Sequence, residues 1–169
     1  MNHWLIGEAM DERLSDIRIT VEPDPEAFAA EIETRLLDSL KQNVPASDYA
    51  PFGVLARDGE GAILGGLIGG TSYGWLLIKN LWIAQDLRGQ GLGAEIMRLA
   101  EEEASNRGCH GAWLDTSSRR ARNFYAKLGY ETFGTLENRE GEKPQGHARF
   151  FLCKRFPPAH KPIDASPRG

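Results

Sequence analysis

The sequence has few of the features that mark disulfide-rich, metal-binding or membrane proteins. Its 169 residues include two cysteines, Cys109 and Cys153, and no CxxC pair, so neither a disulfide framework nor a cysteine-based metal site is expected. No apolar run approaches the roughly 20 residues that span a membrane. The first ten residues lack the basic start and long apolar centre of a secretory signal. These absences predict a cytoplasmic protein that binds neither a metal nor a membrane.

An excess of positive charge is also missing. The chain has 20 Lys and Arg against 24 Asp and Glu residues, a net charge of −4, and its pI is about 5.6. Such a chain has no general attraction for nucleic acid, and we expect none as a partner. With 41% hydrophobic and 26% charged residues, the composition is that of an ordinary globular protein.

The periodicity of the apolar residues predicts one α+β domain over residues 1–156, with its core in residues 17–155. The predicted strands are residues 17–22, 52–57, 62–73, 75–83, 111–116, 130–136 and 147–155. The predicted helices lie between Asp24-Pro25 and Asn43-Pro45, from Gly91 to Arg107 and from Arg119 to Leu128. Residues 157–169, with four prolines, are predicted to form a disordered tail.

Two of these elements carry further signals. Phe28, Ile32, Leu36 and Leu40 recur every four residues, so the first helix is expected to lay one face on a core. The strand at residues 62–73 contains four glycines in two pairs, which predicts a twisted or bulged strand near a ligand.

The most informative stretch is residues 88–94, which we call the glycine loop. It follows an apolar strand and opens a helix, and Gly89, Gly91 and Gly93 stand on alternate positions. Glycine removes the side chain where a backbone must approach something closely. The helix start points unpaired N–H groups, with about half a positive charge, at the same spot. Together with the guanidinium of Arg88, these groups predict a site for a phosphate or pyrophosphate.

Two kinds of phosphate loop fit these residues, and a plain structural turn is the alternative to both. Read as Gly89-x-Gly91-x-x-Ala94, the loop fits the dinucleotide fingerprint, with Asp115 placed downstream to meet a ribose. That fingerprint belongs after the first strand of repeated parallel βαβ units. Here the glycine loop follows the fourth predicted strand, which counts against a dinucleotide site. The Walker A pattern is absent, because no Lys-Ser or Lys-Thr follows the glycines.

Read as Arg88-x-x-Gly91-x-Gly93, the loop resembles the coenzyme A pyrophosphate loop of the GNAT superfamily of acetyl-CoA-dependent N-acetyltransferases. The preceding strand, Leu81-Trp82-Ile83, resembles the strand that leads into that loop. Residues 121–130, with Ala121, Phe124, Tyr125, Lys127, Gly129 and Tyr130 at the matching positions, are similar to the second signature of the superfamily. The resemblance extends over roughly residues 17–155.

The resemblance implies a mixed, mostly antiparallel central sheet of six to seven strands flanked by helices. Its fourth and fifth strands would splay apart to admit the pantetheine arm of the coenzyme. It also implies that the coenzyme is contacted by Leu81, Trp82, Ile83, Arg88, Gly89, Gln90, Gly91, Leu92, Gly93, Ala94 and Ser118. Ser118 stands where many relatives have Asn, and the pair Ser117-Ser118 is also the N-cap candidate for the helix that follows.

The activity implied by the resemblance is transfer of the acetyl group of acetyl-CoA to a primary amine of a small molecule. Tyr125 is our candidate for the acid that protonates the leaving thiolate, and packing of the helix is the alternative role for this residue. Relatives with a glutamate base on the fourth strand would place it at Leu77, which cannot titrate. Asp115 and His147 are therefore the candidates for the general base, each against the alternative of a structural or surface residue.

Some alternatives stay open on the sequence alone. A non-catalytic acyl-CoA sensor would keep the glycine loop without the chemistry, and a dinucleotide-dependent enzyme would use it differently. The oligomeric state is open, with a homodimer as one option. Arg119, Arg120 and Arg122 are candidates to contact the 3′-phosphate of coenzyme A, but we interpret them as a solvated helix face.

Overall fold

The computed structural model describes residues 17–41 and 48–157 and places them in two units, residues 1–46 and residues 47–169. The first unit contains helix α1, Glu26–Leu40. The second contains, in order, β1 (Ala50–Arg57), β2 (Ile63–Ser72), β3 (Trp75–Ile83), α2 (Leu92–Asn106), β4 (Gly111–Thr116), α3 (Arg119–Lys127), β5 (Glu131–Glu137) and β6 (Ala148–Arg155). Within the described stretches, no helix is long and apolar enough to cross a membrane.

The prediction of a strand at residues 17–22 is wrong, because these residues form no regular element. The apolar members of the alternating pattern are exposed, and the side chain of Val21 is 97% accessible. Alternation marks two faces of a chain, but a strand also needs a neighbour for its backbone N–H and C=O groups. The other predicted strands agree with β1 to β6 within about two residues at each end.

Helix α1 was correctly predicted, but its burial was not. It begins at Glu26, with Pro25 rather than Asp24 at the N-cap position, and it contains no buried residue. The side chain of Ile32 on the predicted core face is 62% exposed. Four-residue spacing gives a helix one apolar face, but it does not specify a surface that covers that face. The predicted end at residues 43–45 lies outside the described residues, as do residues 158–169 of the predicted tail.

The six strands form one sheet in the order β1-β2-β3-β4-β6-β5. All neighbouring pairs are antiparallel except β3 and β4, which run parallel. Their pairing covers only residues 75–77 with 111–113, although β3 continues to Ile83 and β4 to Thr116. The two strands therefore part in the middle of the sheet. This confirms the mixed, mostly antiparallel sheet and the splay, with β3 and β4 as the fourth and fifth predicted strands.

One face of the sheet forms the core with α2. The largest fully buried side chains on the strands and on α2 are Leu67, Leu76, Leu114, Leu152 and Met97. Burial of a leucine of this kind stabilises the fold by about 1.5–3 kcal/mol. The apolar face of α2 thus fixes the helix on the sheet, and its first turn lies at the end of β3, where the two strands have separated.

Two of the β2 glycines allow close packing. An added Cβ at Gly65 would lie 2.9 Å from Ile83 and 3.3 Å from Ile96, so this glycine lets α2 approach the sheet. A Cβ at Gly69 would lie 2.3 Å from the carbonyl oxygen of Leu77, at the bulge between β2 and β3. The predicted bulge is confirmed, and the ligand near this strand stays a prediction.

Candidate active site

A cleft of about 450 Å³ opens between the end of β3, the glycine loop, the first turn of α2 and helix α3. Its walls are formed by Leu81, Trp82, Ile83, Leu87, Arg88, Gly89, Gly91, Gly93, Ala94, Ser118, Arg120, Ala121, Phe124 and Tyr125. Nine of the eleven residues predicted to contact acetyl-CoA are in this set; Gln90 and Leu92 are not. The structure therefore brings the two sequence signatures together on opposite walls of one cleft.

The glycine loop is held in place by its own polar side chains. The Nε atom of Arg88 donates to the carbonyl oxygen of Ile83 at 3.0 Å. The side-chain amide of Gln90 donates to the carbonyl oxygen of Asp86 at 2.7 Å, on the short 3₁₀ turn Gln85–Leu87. These bonds tie the loop to the end of β3 and to the turn before it, and they turn Gln90 to the loop rather than to the cleft.

The start of α2 fits a phosphate group. Gly91 is its N-cap in the left-handed conformation, with φ of 91° and no side chain capping the helix. The first helical bond runs from Glu95 N–H to the carbonyl oxygen of Gly91, at 3.1 Å. The N–H groups of residues 91–94 accordingly have no partner within the helix. A Cβ at Gly89 or Gly91 would meet nothing within 4 Å, so open space adjoins these N–H groups, as an anion site at a helix N-terminus requires.

Gly93 serves a different purpose from the other two glycines. Its φ is not positive, and an added Cβ would lie 3.3 Å from the ring of Phe124. The absent side chain thus lets α2 pack against α3. Gly93 also lines the cleft, and its contact with the coenzyme stays a prediction.

Ser118 is the N-cap of α3, as its position predicted. Its Oγ atom accepts a hydrogen bond from Ala121 N–H at 3.1 Å, which satisfies one of the unpaired donors at the helix start. Ser118 also lines the cleft. Its contact with coenzyme A stays a prediction.

Tyr125 lines the cleft from α3. The residue is 7% exposed, and its ring packs edge-on against Phe124 and Tyr130, with centroids 5.1 and 5.8 Å away. Burial raises the pKa of its hydroxyl above the ordinary value of 10. No described residue forms a hydrogen bond with that hydroxyl. Tyr125 therefore holds its proton firmly, and its hydroxyl can still pair with a group in the cleft.

Tyr130, next to Tyr125, is engaged elsewhere. Its hydroxyl donates to a carboxylate oxygen of Glu101 at 3.0 Å, and the other oxygen of Glu101 pairs with the ammonium of Lys154. Burial, and then the nearby Glu101, raise the pKa of Tyr130. Among the described tyrosines, only Tyr125 lines the cleft.

Neither of the two candidate bases is among the residues that line the cleft. Asp115, near the end of β4, accepts a hydrogen bond from Nε of Arg149 at 2.6 Å. His147 lies exposed in the loop before β6. No Asp, Glu or His is among the described residues that line the cleft, and no described group of three or more His, Cys, Asp or Glu is placed to hold a metal ion. Leu77 stands half-buried on β3.

Sequence reasoning missed some of the wall residues. Arg120 was interpreted as solvated, and Leu87, Ala121 and Phe124 were not proposed to contact the coenzyme, although all four line the cleft. Phe124 stands in the second signature, and that motif was the available signal. No sequence signal pointed to Leu87, because it reaches the cleft through the short 3₁₀ turn Gln85–Leu87.

Comparison with known proteins identifies the family. The sequence model of the acetyltransferase (GNAT) family matches residues 11–130, and this range includes both signatures. The chain belongs to the GNAT acetyltransferase family. It is an acetyl-transferring enzyme of a family that uses acetyl-CoA.

Three similar proteins support the assignment of this acetyltransferase. Acetyltransferase Atu2258 of Agrobacterium fabrum is 36% identical over 110 residues, which are 65% of this chain and 77% of the relative. Blasticidin-S acetyltransferase of Streptomyces morookaense is 34% identical over 113 residues, 66% of this chain and 78% of the relative. A crystal structure of an acetyltransferase from Agrobacterium tumefaciens superimposes with a TM-score of 0.69 at 30% identity, covering 83% of this chain and 99% of that one.

Proposed function

We propose that this enzyme transfers the acetyl group of acetyl-CoA to a primary amine of a small molecule, by direct attack in a ternary complex. One observation carries the proposal: a single cleft joins the uncapped N-terminus of α2 with the unpaired hydroxyl of Tyr125. The first feature suits the phosphates of a coenzyme, and the second suits a leaving group that needs a proton.

The splay between β3 and β4 supports the placement of the pantetheine arm. From Ile78 to Ile83, the edge of β3 that faces β4 has no described strand partner. Its backbone groups can therefore bond an extended ligand as they would bond an added strand. The pyrophosphate would then meet the N–H groups of residues 89–94, while Trp82 and Ile83 line the path between.

The reaction needs two proton transfers: the amine must lose a proton, and the departing thiolate must gain one. A primary amine with a pKa of about 10.4 is neutral in only about one part in 10³ near neutral pH, which costs roughly 4 kcal/mol. The departing thiolate, with a pKa near 8.5, needs a proton. A phenol that loses its proton only above pH 10 keeps it until the thiolate forms, and Tyr125 meets this requirement. The backbone N–H of Leu81 is our candidate donor to the developing oxyanion.

A small-molecule acceptor is supported by one relative. This relative, 34% identical to the chain, is named blasticidin-S acetyltransferase, and its name gives blasticidin S as the acceptor. The net charge of −4 suits a cationic amine rather than an anionic substrate.

Calorimetry and a thiol-release assay test the proposed function together. The protein should bind acetyl-CoA and not NAD(H), and it should release free thiol with at least one member of a panel of amines, polyamines, aminoglycosides and peptides. Mass spectrometry should then show the acetylated amine. Binding of acetyl-CoA without thiol release across the panel would favour an acyl-CoA sensor. Binding of NAD(H) alone would contradict the acetyl-CoA site.

Deprotonation of the amine is expected to depend on neither Asp115, which is paired with Arg149, nor His147, which lies exposed. We propose that ordered water and the equilibrium of the amine itself supply the free base. Single-turnover rates of Asp115→Asn and His147→Ala between pH 6 and 10 should keep the wild-type profile. Both should rise about tenfold per pH unit toward the pKa of the amine. Loss of one ionisation in either variant would instead identify that residue as the base.

A further inference from the structure

Helix α3 begins with three arginines that the structure separates. The guanidinium of Arg122 lies 4.9 Å from the ring centroid of Phe150. Arg119 lies 5.6 Å from the same ring and 3.6 Å from a carboxylate oxygen of Glu137. Arg120 has no ion pair, hydrogen bond or ring contact with any described residue, and it lines the cleft. The interpretation of all three as a solvated face is therefore incomplete.

The position of Arg120 is not explained by the stability of α3. Cations in the first turn of a helix are disfavoured, because the N-terminus already carries partial positive charge. The first turn of α3 contains no acidic residue to offset them. An unpaired arginine at this point, in a chain with a net charge of −4, is the expected feature of an anion site on the α3 wall.

The proposed function already assigns one anion site to the opposite wall of the cleft. That site consists of the glycine loop, with Arg88 and the first N–H groups of α2. Arg120 is carried by a different element, so the cleft has cationic groups on two walls. Two separate phosphate groups on one ligand match this arrangement better than a single one.

We infer that Arg120 binds the 3′-phosphate of the acyl-CoA nucleotide and makes the enzyme selective for full coenzyme A. This inference rests on the proposed function. A phosphate monoester carries a charge between −1.5 and −2 near neutral pH, so it is the strongest anion that the coenzyme offers apart from the pyrophosphate. A carrier-bound phosphopantetheine donor, whose single phosphate is a diester and which has no nucleotide, would leave Arg120 without a partner.

Calorimetry with coenzyme A and 3′-dephospho-coenzyme A tests the inference in three proteins. The wild type should bind coenzyme A about tenfold more tightly than the dephospho form, by the usual size of a charge-assisted hydrogen bond at a partly exposed site. Arg120→Gln should lower the affinity for coenzyme A to that for the dephospho form. It should leave the affinity for the dephospho form unchanged. Arg119→Gln is the matched control, since it removes the same charge from the neighbouring position and should keep the tenfold preference.

The outcomes separate this inference from the proposed function. Equal wild-type affinity for the two ligands, or a preference that survives in Arg120→Gln, would overturn the role of Arg120 while acetyl-CoA binding stands. An equal loss of affinity for both ligands in Arg120→Gln would also overturn the role of Arg120. The residue would then contact a group that both ligands share. Failure of the wild type to bind either ligand would overturn the proposed function itself. Circular dichroism melts of both variants should match the wild type.

Discussion

Gly91→Val is expected to weaken acetyl-CoA binding by about 100-fold or more. Gly91 adopts a φ of 91° at the N-cap of α2, and a Cβ there would project into open space beside the unpaired N–H groups. The valine side chain would occupy the place of a phosphate oxygen, and charge-assisted bonds of this kind contribute about 1.5–3 kcal/mol each. Isothermal titration calorimetry measures the loss directly.

The valine also strains the backbone, so a matched variant is needed. Gly108 ends the same helix with a φ of 85°, and a Cβ there also meets nothing within 4 Å. A non-glycine residue in this conformation costs on the order of 1–3 kcal/mol. Gly91→Val and Gly108→Val should therefore lose similar amounts of stability in chemical denaturation, and only Gly91→Val should lose the coenzyme. Normal acetyl-CoA affinity in Gly91→Val would remove the glycine loop from the site.

Tyr125→Phe should lower turnover roughly 100-fold when chemistry limits the rate, the usual size of a general-acid contribution. The variant removes only a hydroxyl that no described residue bonds, so no polar group in the described structure loses its partner. Stability and acetyl-CoA affinity should change little. Single-turnover acetylation of an accepted amine gives the rate, and calorimetry gives the affinity. Unchanged single-turnover rates would leave Tyr125 as a packing residue.

The pH dependence of the same pair of proteins gives a second readout. Tyr125 acts in its protonated form, and burial raises its pKa above 10, so the proton is present at all lower pH values. The ratio of wild-type to Tyr125→Phe rates should stay constant from pH 7 to 10 and fall only above that. Tyr130→Phe is the control, because it breaks the bond to Glu101 and should reduce stability while leaving turnover within a few-fold.

The local elements of the second unit could be predicted because their signals are local. The glycines that end α2 and α3, Gly108 and Gly129, adopt φ values of 85° and 89°, as helix-ending glycines should. The N-cap role of Ser118 followed from its place before the α3 pattern. The two signatures, at the glycine loop and at residues 121–130, indicated the family, and the splay of β3 and β4 followed from the family.

Features that depend on distant contacts could not be predicted in this way. The alternation at residues 17–22 gave no information on a pairing partner, and the spacing in α1 gave none on a covering surface. Asp115 forms an ion pair with Arg149, 34 positions away in the sequence, so this pairing was not visible. Arg120 lines the cleft and its neighbour Arg119 does not. Their adjacent positions at the start of α3 did not show which of the two would do so.

The central claim is that the backbone N–H groups of the glycine loop hold the pyrophosphate of acetyl-CoA. Titration of the ¹⁵N-labelled protein with acetyl-CoA, followed by two-dimensional amide NMR, tests it most directly. The account predicts that the largest shifts occur at Gly89, Gly91 and Gly93, with Gly108 and Gly141 unmoved, and that desulfo-coenzyme A reproduces them. Saturable binding of acetyl-CoA that leaves the amides of residues 89–94 in place would contradict the account.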